Sequence, residues 1–189
     1  MLFRTISFLF VLVQLINANE RCIVPDILLK TVKITENEAS YPFLIRTNQS
    51  STLEKFKKIS KTLGGRNTKD TMVIDCINLQ NCVNISTDLI RNNITNLDLG
   101  LFQINYDSFK YPLFSYFDKN ASYKNACKVI QEKIKINKDK WSWEVLASYH
   151  SMTPEYNKIY KKKLIKNYIK LSKKENSNNF IKSEFLISN

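Results

Sequence analysis

Apolar side chains recur at every third or fourth position in six separate stretches of the chain, with polar residues between them. This spacing puts the apolar side chains on one face of an α-helix, so each stretch predicts an amphipathic helix. The predicted helices cover residues 25–36, 51–63, 82–92, 120–135, 141–150 and 155–172. A shorter stretch, residues 71–76, predicts a strand or an extended loop. We therefore expect a mainly α-helical fold with little strand.

The bulk properties favour a single domain. The chain has 189 residues, of which 43% are hydrophobic, and it contains no internal repeat and no linker rich in Pro, Gly or Ser. This length and composition suit one globular domain with one core. Strands and helices do not alternate and no glycine-rich phosphate loop occurs, which argues against a nucleotide-binding sheet.

The first residues of the chain have a different character. Arg4 supplies a positive charge, a short apolar run extends from Phe8 to Ile16, and the small residue Ala18 suits cleavage after it. This is the pattern of a secretory signal peptide. The apolar run is too short to span a bilayer comfortably and no second hydrophobic segment follows, so we expect a periplasmic or secreted protein without a membrane-spanning segment. The predicted segments are a signal peptide at 1–18, a folded domain at 19–172 and a polar, flexible tail at 173–189.

Export changes how the cysteines are interpreted. The chain has four of them, Cys22, Cys76, Cys82 and Cys127. An even number of cysteines in an oxidising compartment predicts two disulfides, and three pairings are possible. Cys76 and Cys82 frame the short loop CINLQNC, which favours a local bridge and leaves Cys22 for Cys127. We expect no metal site, because there is no C-x-x-C pattern and the single histidine, His150, lies far from any cysteine in the sequence.

The formal net charge is +12, and much of the excess lies near the C-terminus in KKKLIKNYIKLSKK. Nucleic acid, an anionic membrane or an anionic extracellular polymer could each be the partner of such a charge, and export argues against nucleic acid. A solvated helix face that keeps the protein soluble is an equally good interpretation of the lysines.

Glu36 is the first candidate for chemistry. It follows Val32 by four positions and Leu28 by eight, which places it at the end of the apolar face of its predicted helix. Burial disfavours the charged form of a carboxyl, and an acid that keeps its proton near neutral pH suits general acid catalysis. The alternative is a glutamate at a helix end that turns into solvent.

A second candidate is the run NLDLGLFQIN, residues 96–105. Gly100 allows the backbone to approach a ligand closely. Gln103 and Asn105 are two positions apart, so in an extended segment both amides point the same way and suit sugar hydroxyl and acetamido groups. We expect Asp98 to hold the turn through local backbone hydrogen bonds. The alternative is a core strand whose polar residues face water.

A third candidate is the run LASYHSMTPEY, which contains Tyr149, His150 and Ser151. A serine hydrolase is a poor interpretation of this run. Sequence neighbours rarely reach the hydrogen-bond geometry that a Ser–His pair needs, and the chain has no G-x-S-x-G pattern.

Together, three stretches resemble the motifs of the lytic transglycosylases in the lysozyme-like (SLT) superfamily. Residues 28–37, LLKTVKITEN, are similar in spacing to that family's L-L-x-A-I-A-x-x-E-S helix. Residues 100–105, GLFQIN, resemble its G-L-M-Q-I-N motif, and residues 147–154, ASYHSMTP, resemble A-x-Y-H-S-x-T-P. The chain departs from the family with Asn37 in place of serine and Phe102 in place of methionine.

The resemblance implies an α+β lysozyme-like fold, in which a single compact helical domain and a small lobe of loops and strands flank a glycan cleft. It implies cleavage of the bond between N-acetylmuramic acid and N-acetylglucosamine in peptidoglycan, with formation of a 1,6-anhydro ring. Glu36 is the implied general acid and then base, and Tyr149 is expected to orient it by a hydrogen bond. The implied substrate-binding residues are Asn37, Gly100, Phe102, Gln103, Asn105 and His150.

The closest resemblance is to the small exported enzymes that accompany secretion and conjugation machines. It implies a monomer without a cofactor, possible contacts with such a machine, and an anionic cell wall as the partner of the positive charge. Two alternatives stay open. One is a lysozyme-like muramidase that uses water, and the other is a non-catalytic cell-wall-binding protein of the same fold.

Overall fold

The computed structural model describes the backbone of residues 22–187 and the side chains of residues 22–175. The predicted signal peptide, residues 1–18, lies outside the described residues. The helices of the described part are α1 Asp26–Glu36, α2 Leu53–Thr62, α3 Leu79–Arg91, α4 Phe114–Phe117, α5 Lys119–Ile136, α6 Trp143–Ala147 and α7 Pro154–Ile187, with a short 3-10 helix at Ser50–Thr52. The strands are β1 Leu44–Thr47, β2 Arg66–Asn67, β3 Val73–Asp75, β4 Leu97–Leu99 and β5 Ile104–Asn105.

The structure is α+β and mainly helical, which confirms the predicted class in this coarse form. All six predicted helices form, and the predicted strand at 71–76 forms as β3. Sequence reasoning missed α4, β1 and β2, and it offered a strand only as the alternative for residues 96–105, where β4 and β5 form. These elements are two to four residues long, which is too short for a hydrophobic period to develop.

The five short strands form one antiparallel sheet in the order β2-β3-β1-β4-β5. On its inner face, Ile45 lies opposite Ile74 on one side and Leu99 on the other, and Leu99 lies opposite Ile104. All four side chains are buried. Because side chains alternate across a strand, this face joins the core and the other face is left for polar residues.

The core lies between the inner face of the sheet and the buried faces of the longer helices. Its largest fully buried side chains belong to the sheet, to the loops beside it and to α2–α5. They are Tyr116, Phe56, Phe102, Phe117, Ile45, Ile74, Ile85, Leu89, Ile94, Leu97, Leu99 and Ile130.

Both disulfides pair as the loop argument predicts, Cys76 with Cys82 and Cys22 with Cys127. The second bridge closes a loop with a sequence separation of 105, for which chain entropy gives a stabilisation of about 4.7 kcal/mol. Cys22 lies just before α1 and Cys127 lies in α5, so this bridge fixes the start of the helix that carries Glu36.

Helix α7 packs against α1 and α6 and runs well past the predicted end at residue 172, so that predicted end is wrong. The physical reason is that the chain contains no Pro or Gly after Pro154, and therefore no strong helix breaker. The flexibility of the tail at 173–189 stays a prediction. Among the helices of residues 22–187, none combines the length and apolar character that a membrane span needs.

Polar contacts also join α1 and α7. The Asn167 amide donates a hydrogen bond to the Thr35 hydroxyl at 3.0 Å, one residue before Glu36. Nearer the start of α1, Lys30 bridges Asp26 at 2.7 Å and Glu175 at 3.1 Å. The last turn of α1 is therefore held against α7.

Candidate functional site

A polar cleft lies beside the end of α1. It consists of two adjoining cavities of about 700 Å³ and about 480 Å³. The side chains that line both cavities are Glu36, Asn48, Asp98, Gln103, His150 and Tyr156. The cleft is therefore continuous past Glu36 and has the size to take a small organic ligand.

Glu36 is the last residue of α1, on the helix face that buries Leu28 and Val32. Its side chain is only 11% exposed. The Oε1 atom is fully buried and has no hydrogen-bond partner among the described residues. A buried carboxyl oxygen without a partner costs stability, which makes this atom the clearest candidate for a functional role.

His150 lies beside that atom, at the open edge of the cleft. Its Nδ1 is 3.5 Å from Glu36 Oε1, and half of its side-chain surface is exposed. The Glu36 carboxylate raises the pKa of His150 above its usual range. The His150 ring stacks on Tyr160 with 4.7 Å between ring centres and an interplanar angle of 9°.

Tyr160, in α7, is a site residue that sequence reasoning missed. It is buried, and its hydroxyl completes no hydrogen bond within the described residues. Burial raises the pKa of Tyr160 well above its usual range, and the charge of the nearby Glu36 carboxylate raises it further. The available signal was its position four residues before the buried Leu164, on the inner face of a predicted helix.

Tyr149 does not orient Glu36 by the predicted hydrogen bond. Its hydroxyl donates instead to the carbonyl oxygen of Phe102 at 2.9 Å. Burial raises the pKa of Tyr149 well above its usual range, with the charge of Glu36 as the second cause. Tyr149 therefore lies close to Glu36 and ties the end of α6 to the segment between β4 and β5.

Gln103 and Asn105 both line the larger cavity, but not through one extended segment as predicted. Gln103 adopts a left-handed conformation with φ +47°, and its amide donates to the Gly100 carbonyl at 2.7 Å. Asn105 lies in β5, where its amide nitrogen donates to Asn96 at 2.8 Å and to Asp98 at 2.9 Å. Its hydrogen-bonding capacity therefore serves mainly to hold the cleft wall.

Asp98 makes side-chain contacts rather than the local backbone hydrogen bonds that the sequence led us to expect. Its two oxygens accept from the Asn48 amide at 2.8 Å and the Asn105 amide at 2.9 Å. Strand pairing places Arg46, Asp98 and Asn105 opposite one another, on the sheet face away from the core. The polar face of the sheet thus forms one wall of the cleft.

Gly100 lets the backbone pack closely against another part of the protein, whereas the sequence predicted a close approach to a ligand. Its φ is +72°, and a Cβ at this position would collide with the backbone carbonyl of Tyr116. Glycine is thus required for packing against the segment that follows β5. It does not line either cavity.

Two further predicted substrate contacts also lie elsewhere. Phe102 is completely buried and packs edge-on against Tyr123, with 4.8 Å between ring centres. Asn37 is buried too, and its amide exchanges hydrogen bonds with the backbone of Tyr41. Neither side chain lines either cavity, so both residues contribute to the packing beneath the site and do not form its surface.

Cationic side chains lie toward both ends of the cleft. Lys133 lines the larger cavity, while Arg46 and Lys163 line the smaller one. Arg46 also pairs with Asp70 at 2.7 Å. The cleft therefore offers positive charge to an anionic ligand on either side of Glu36.

The arrangement is suited to acid–base chemistry on a polar, uncharged bond. A shielded carboxyl stands at the centre, and amides, hydroxyls and cations surround it. Within residues 22–175, no group of His, Cys, Asp and Glu side chains is arranged to hold a metal ion.

No protein-family model, curated protein or solved structure matches the chain.

Proposed function

We propose that this protein is a peptidoglycan lytic transglycosylase with a lysozyme-like fold. The observation that carries the proposal is Glu36, which lines a cleft of amides and hydroxyls and whose Oε1 atom is buried and makes no hydrogen bond among the described residues. The resemblance of residues 28–37, 100–105 and 147–154 to the motifs of that family supports the same assignment.

In the proposed reaction, Glu36 donates its proton to the glycosidic oxygen between N-acetylmuramic acid and N-acetylglucosamine. The resulting carboxylate then accepts the proton of the muramic acid C6 hydroxyl as that oxygen attacks C1. One carboxyl thus acts first as acid and then as base, and a 1,6-anhydro ring closes without consuming water.

The lining of the cleft suits such a substrate. The Gln103 amide and the exposed Tyr156 ring provide hydrogen bonding and a flat surface for sugar rings. Lys133 and Lys163 can pair with the carboxylates that the peptides of the cell wall carry.

The two disulfides suit action outside the cytoplasm, as a signal peptide at 1–18 would require. We further propose a periplasmic or secreted monomer that serves a secretion or conjugation machine.

A muramidase that uses water is the second candidate, and Asp98 is the observation that favours it. Its carboxylate lines both cavities beside Glu36 and is held in place by two amides. A hydrolytic glycosidase needs a second carboxylate of this kind, either as a nucleophile or as the base that activates water.

Digestion of purified peptidoglycan by the wild type and by Asp98→Asn separates the two candidates. The proposal predicts that all new muramic acid ends are 1,6-anhydro by mass spectrometry and that Asp98→Asn retains turnover within about tenfold. Asp88→Asn, a change on α3 outside the cleft, is the matched control. Reducing ends together with an inactive Asp98→Asn protein would favour the muramidase.

A further inference from the structure

His150 is placed to exchange a proton with Glu36. Its Nδ1 is 3.5 Å from Glu36 Oε1, an atom that is buried and makes no hydrogen bond within the part of the chain that the structure describes. The separation exceeds the ~2.9 Å of a charge-assisted hydrogen bond by ~0.6 Å, so a small side-chain rotation closes it. Stacking on Tyr160 fixes the plane of the His150 ring, which keeps this rotation small.

We propose that Glu36 and His150 share one proton, and that His150 returns it to Glu36 when substrate covers the cleft. In this way His150 protonates Glu36, the general acid. The inference rests on the proposed function for the step that uses the acid, while the shared proton itself stands on the geometry of the pair.

The location of His150 explains why substrate would move the proton. In the open cleft the ring is half exposed, so water solvates an imidazolium paired with a carboxylate. A substrate that covers the ring removes this water, and desolvation penalises two charges more than it penalises two neutral groups. The neutral pair, protonated Glu36 with neutral His150, is then favoured.

Protons are conserved over one turnover. The Nδ1–H bond of His150 breaks and an O–H bond forms on Glu36 Oε1. Glu36 gives this proton to the glycosidic oxygen and takes the proton of the C6 hydroxyl. When product leaves, that proton returns to Nδ1, so no acid or base is consumed.

The other charged groups around His150 come from the sheet and from α7. Asp98 raises the pKa of His150, as Glu36 does more strongly, whereas Lys163 and burial lower it. Tyr160, stacked on the ring, is itself neutral at physiological pH because burial and Glu36 raise its pKa. The balance is a raised pKa for His150, so the pair keeps its proton to a higher pH than a free imidazole does.

The first test is a pH titration of His150 by NMR, which needs no assignment because the chain has one histidine. The wild type should titrate above pH 6.5, and Glu36→Gln should bring the midpoint down to about 6.5 or below. Glu38→Gln, a change at an exposed glutamate two residues further on, is the matched control and should leave the midpoint in place. Equal midpoints in the wild type and Glu36→Gln would overturn the shared proton.

The second test is the pH profile of cleavage by His150→Gln and His150→Phe, the latter preserving an aromatic ring over Tyr160. Both variants should lose ~10–100-fold in rate at neutral pH and regain part of it as the pH is lowered, because solvent then supplies the proton that His150 no longer delivers. A loss of the same size at every pH would show a merely structural role and overturn the inference. No cleavage by the wild type, with a titration that still depends on Glu36, would contradict the proposed function and leave the shared proton supported.

Discussion

The two walls of the cleft are built in opposite ways. The sheet wall consists of Asn48, Asp98 and Asn105, and its polar groups pair with one another at 2.8–2.9 Å. The helical wall consists of Glu36, His150 and Tyr160, and two of its polar atoms are buried without a hydrogen bond to any described residue.

This difference indicates that the sheet wall holds the shape of the cleft and the helical wall carries the chemistry. A satisfied network is rigid and holds a shape, whereas an unpartnered buried polar atom costs ~1–3 kcal/mol and is retained where it has a task. We therefore expect changes in the sheet wall to cost stability, and changes in the helical wall to cost activity with little loss of stability.

The largest expected effect is on the helical wall. Glu36→Gln preserves shape and removes the proton that the reaction needs, so the cleavage rate should fall by ~10³-fold or more. Substrate binding and the melting temperature should stay near those of the wild type. A variant that still cleaves peptidoglycan at the wild-type rate would refute the role of Glu36, with Glu38→Gln as the control for a change in charge.

The next largest effect is expected beside the sheet wall, at Gly100. Gly100→Ala combines a positive φ with a collision against the Tyr116 backbone, so it should lower the free energy of unfolding by roughly 2–4 kcal/mol. Gly64→Ala is the matched control. Gly64 also has a positive φ, +85°, but a Cβ there meets only the Asn81 side chain at 3.5 Å, so the cost should be nearer ~1 kcal/mol. Equal costs in denaturant unfolding would show that the contact with Tyr116 is unimportant.

Asn105→Ala tests the sheet wall itself. The substitution removes the donor to Asp98 and Asn96, so unfolding in denaturant should show a loss of roughly 1–3 kcal/mol. Asn84→Ala, which breaks only an exposed contact with Gln80, should cost less than ~0.5 kcal/mol. If the two variants were equally stable, the network would not hold the wall.

Tyr160→Phe tests the opposite expectation for the helical wall. Because the hydroxyl makes no hydrogen bond of normal geometry among the described residues, its removal should leave stability unchanged or raise it by up to ~1 kcal/mol. The cleavage rate should still fall roughly tenfold, since the hydroxyl lies near the Glu36 carboxylate. Tyr168→Phe, two turns further along α7, should leave both properties unchanged, and a stability loss in Tyr160→Phe with normal activity would reverse our assignment.

The smallest expected effect is the pH dependence of stability at His150. Glu36 raises the pKa of His150 in the folded protein, so the pair stabilises the fold below pH 6.5. This contribution is lost as the pH rises through the folded pKa. Thermal unfolding should therefore show a wild type that is more stable than His150→Gln at acidic pH, by no more than ~1 kcal/mol because the His150 ring is half exposed, and equally stable at alkaline pH. A larger difference at alkaline pH would contradict the sign of the shift.

The sequence predicted what depends on local spacing. The long amphipathic helices, the pairing of Cys76 with Cys82 and the place of Glu36 at the end of a buried helix face all follow from periodicity or loop length. The strands β2 and β5 have only two residues each, and no alternation can be detected over so short a span.

What sequence reasoning could not predict depends on contacts between distant residues. The Tyr149 hydroxyl meets a carbonyl 47 positions away, at Phe102. The need for glycine at position 100 comes from the backbone of Tyr116 rather than from a ligand. Both facts are consequences of tertiary packing, and the motif GLFQIN gives no signal of either.

The most direct test of the central claim is digestion of peptidoglycan in water labelled with heavy oxygen. A lytic transglycosylase closes its ring with the C6 oxygen of the sugar, so the new muramic acid ends should be 1,6-anhydro and carry no label. The same digestion with Glu36→Gln sets the background. New reducing ends that carry one labelled oxygen would contradict the account and identify the protein as a hydrolase.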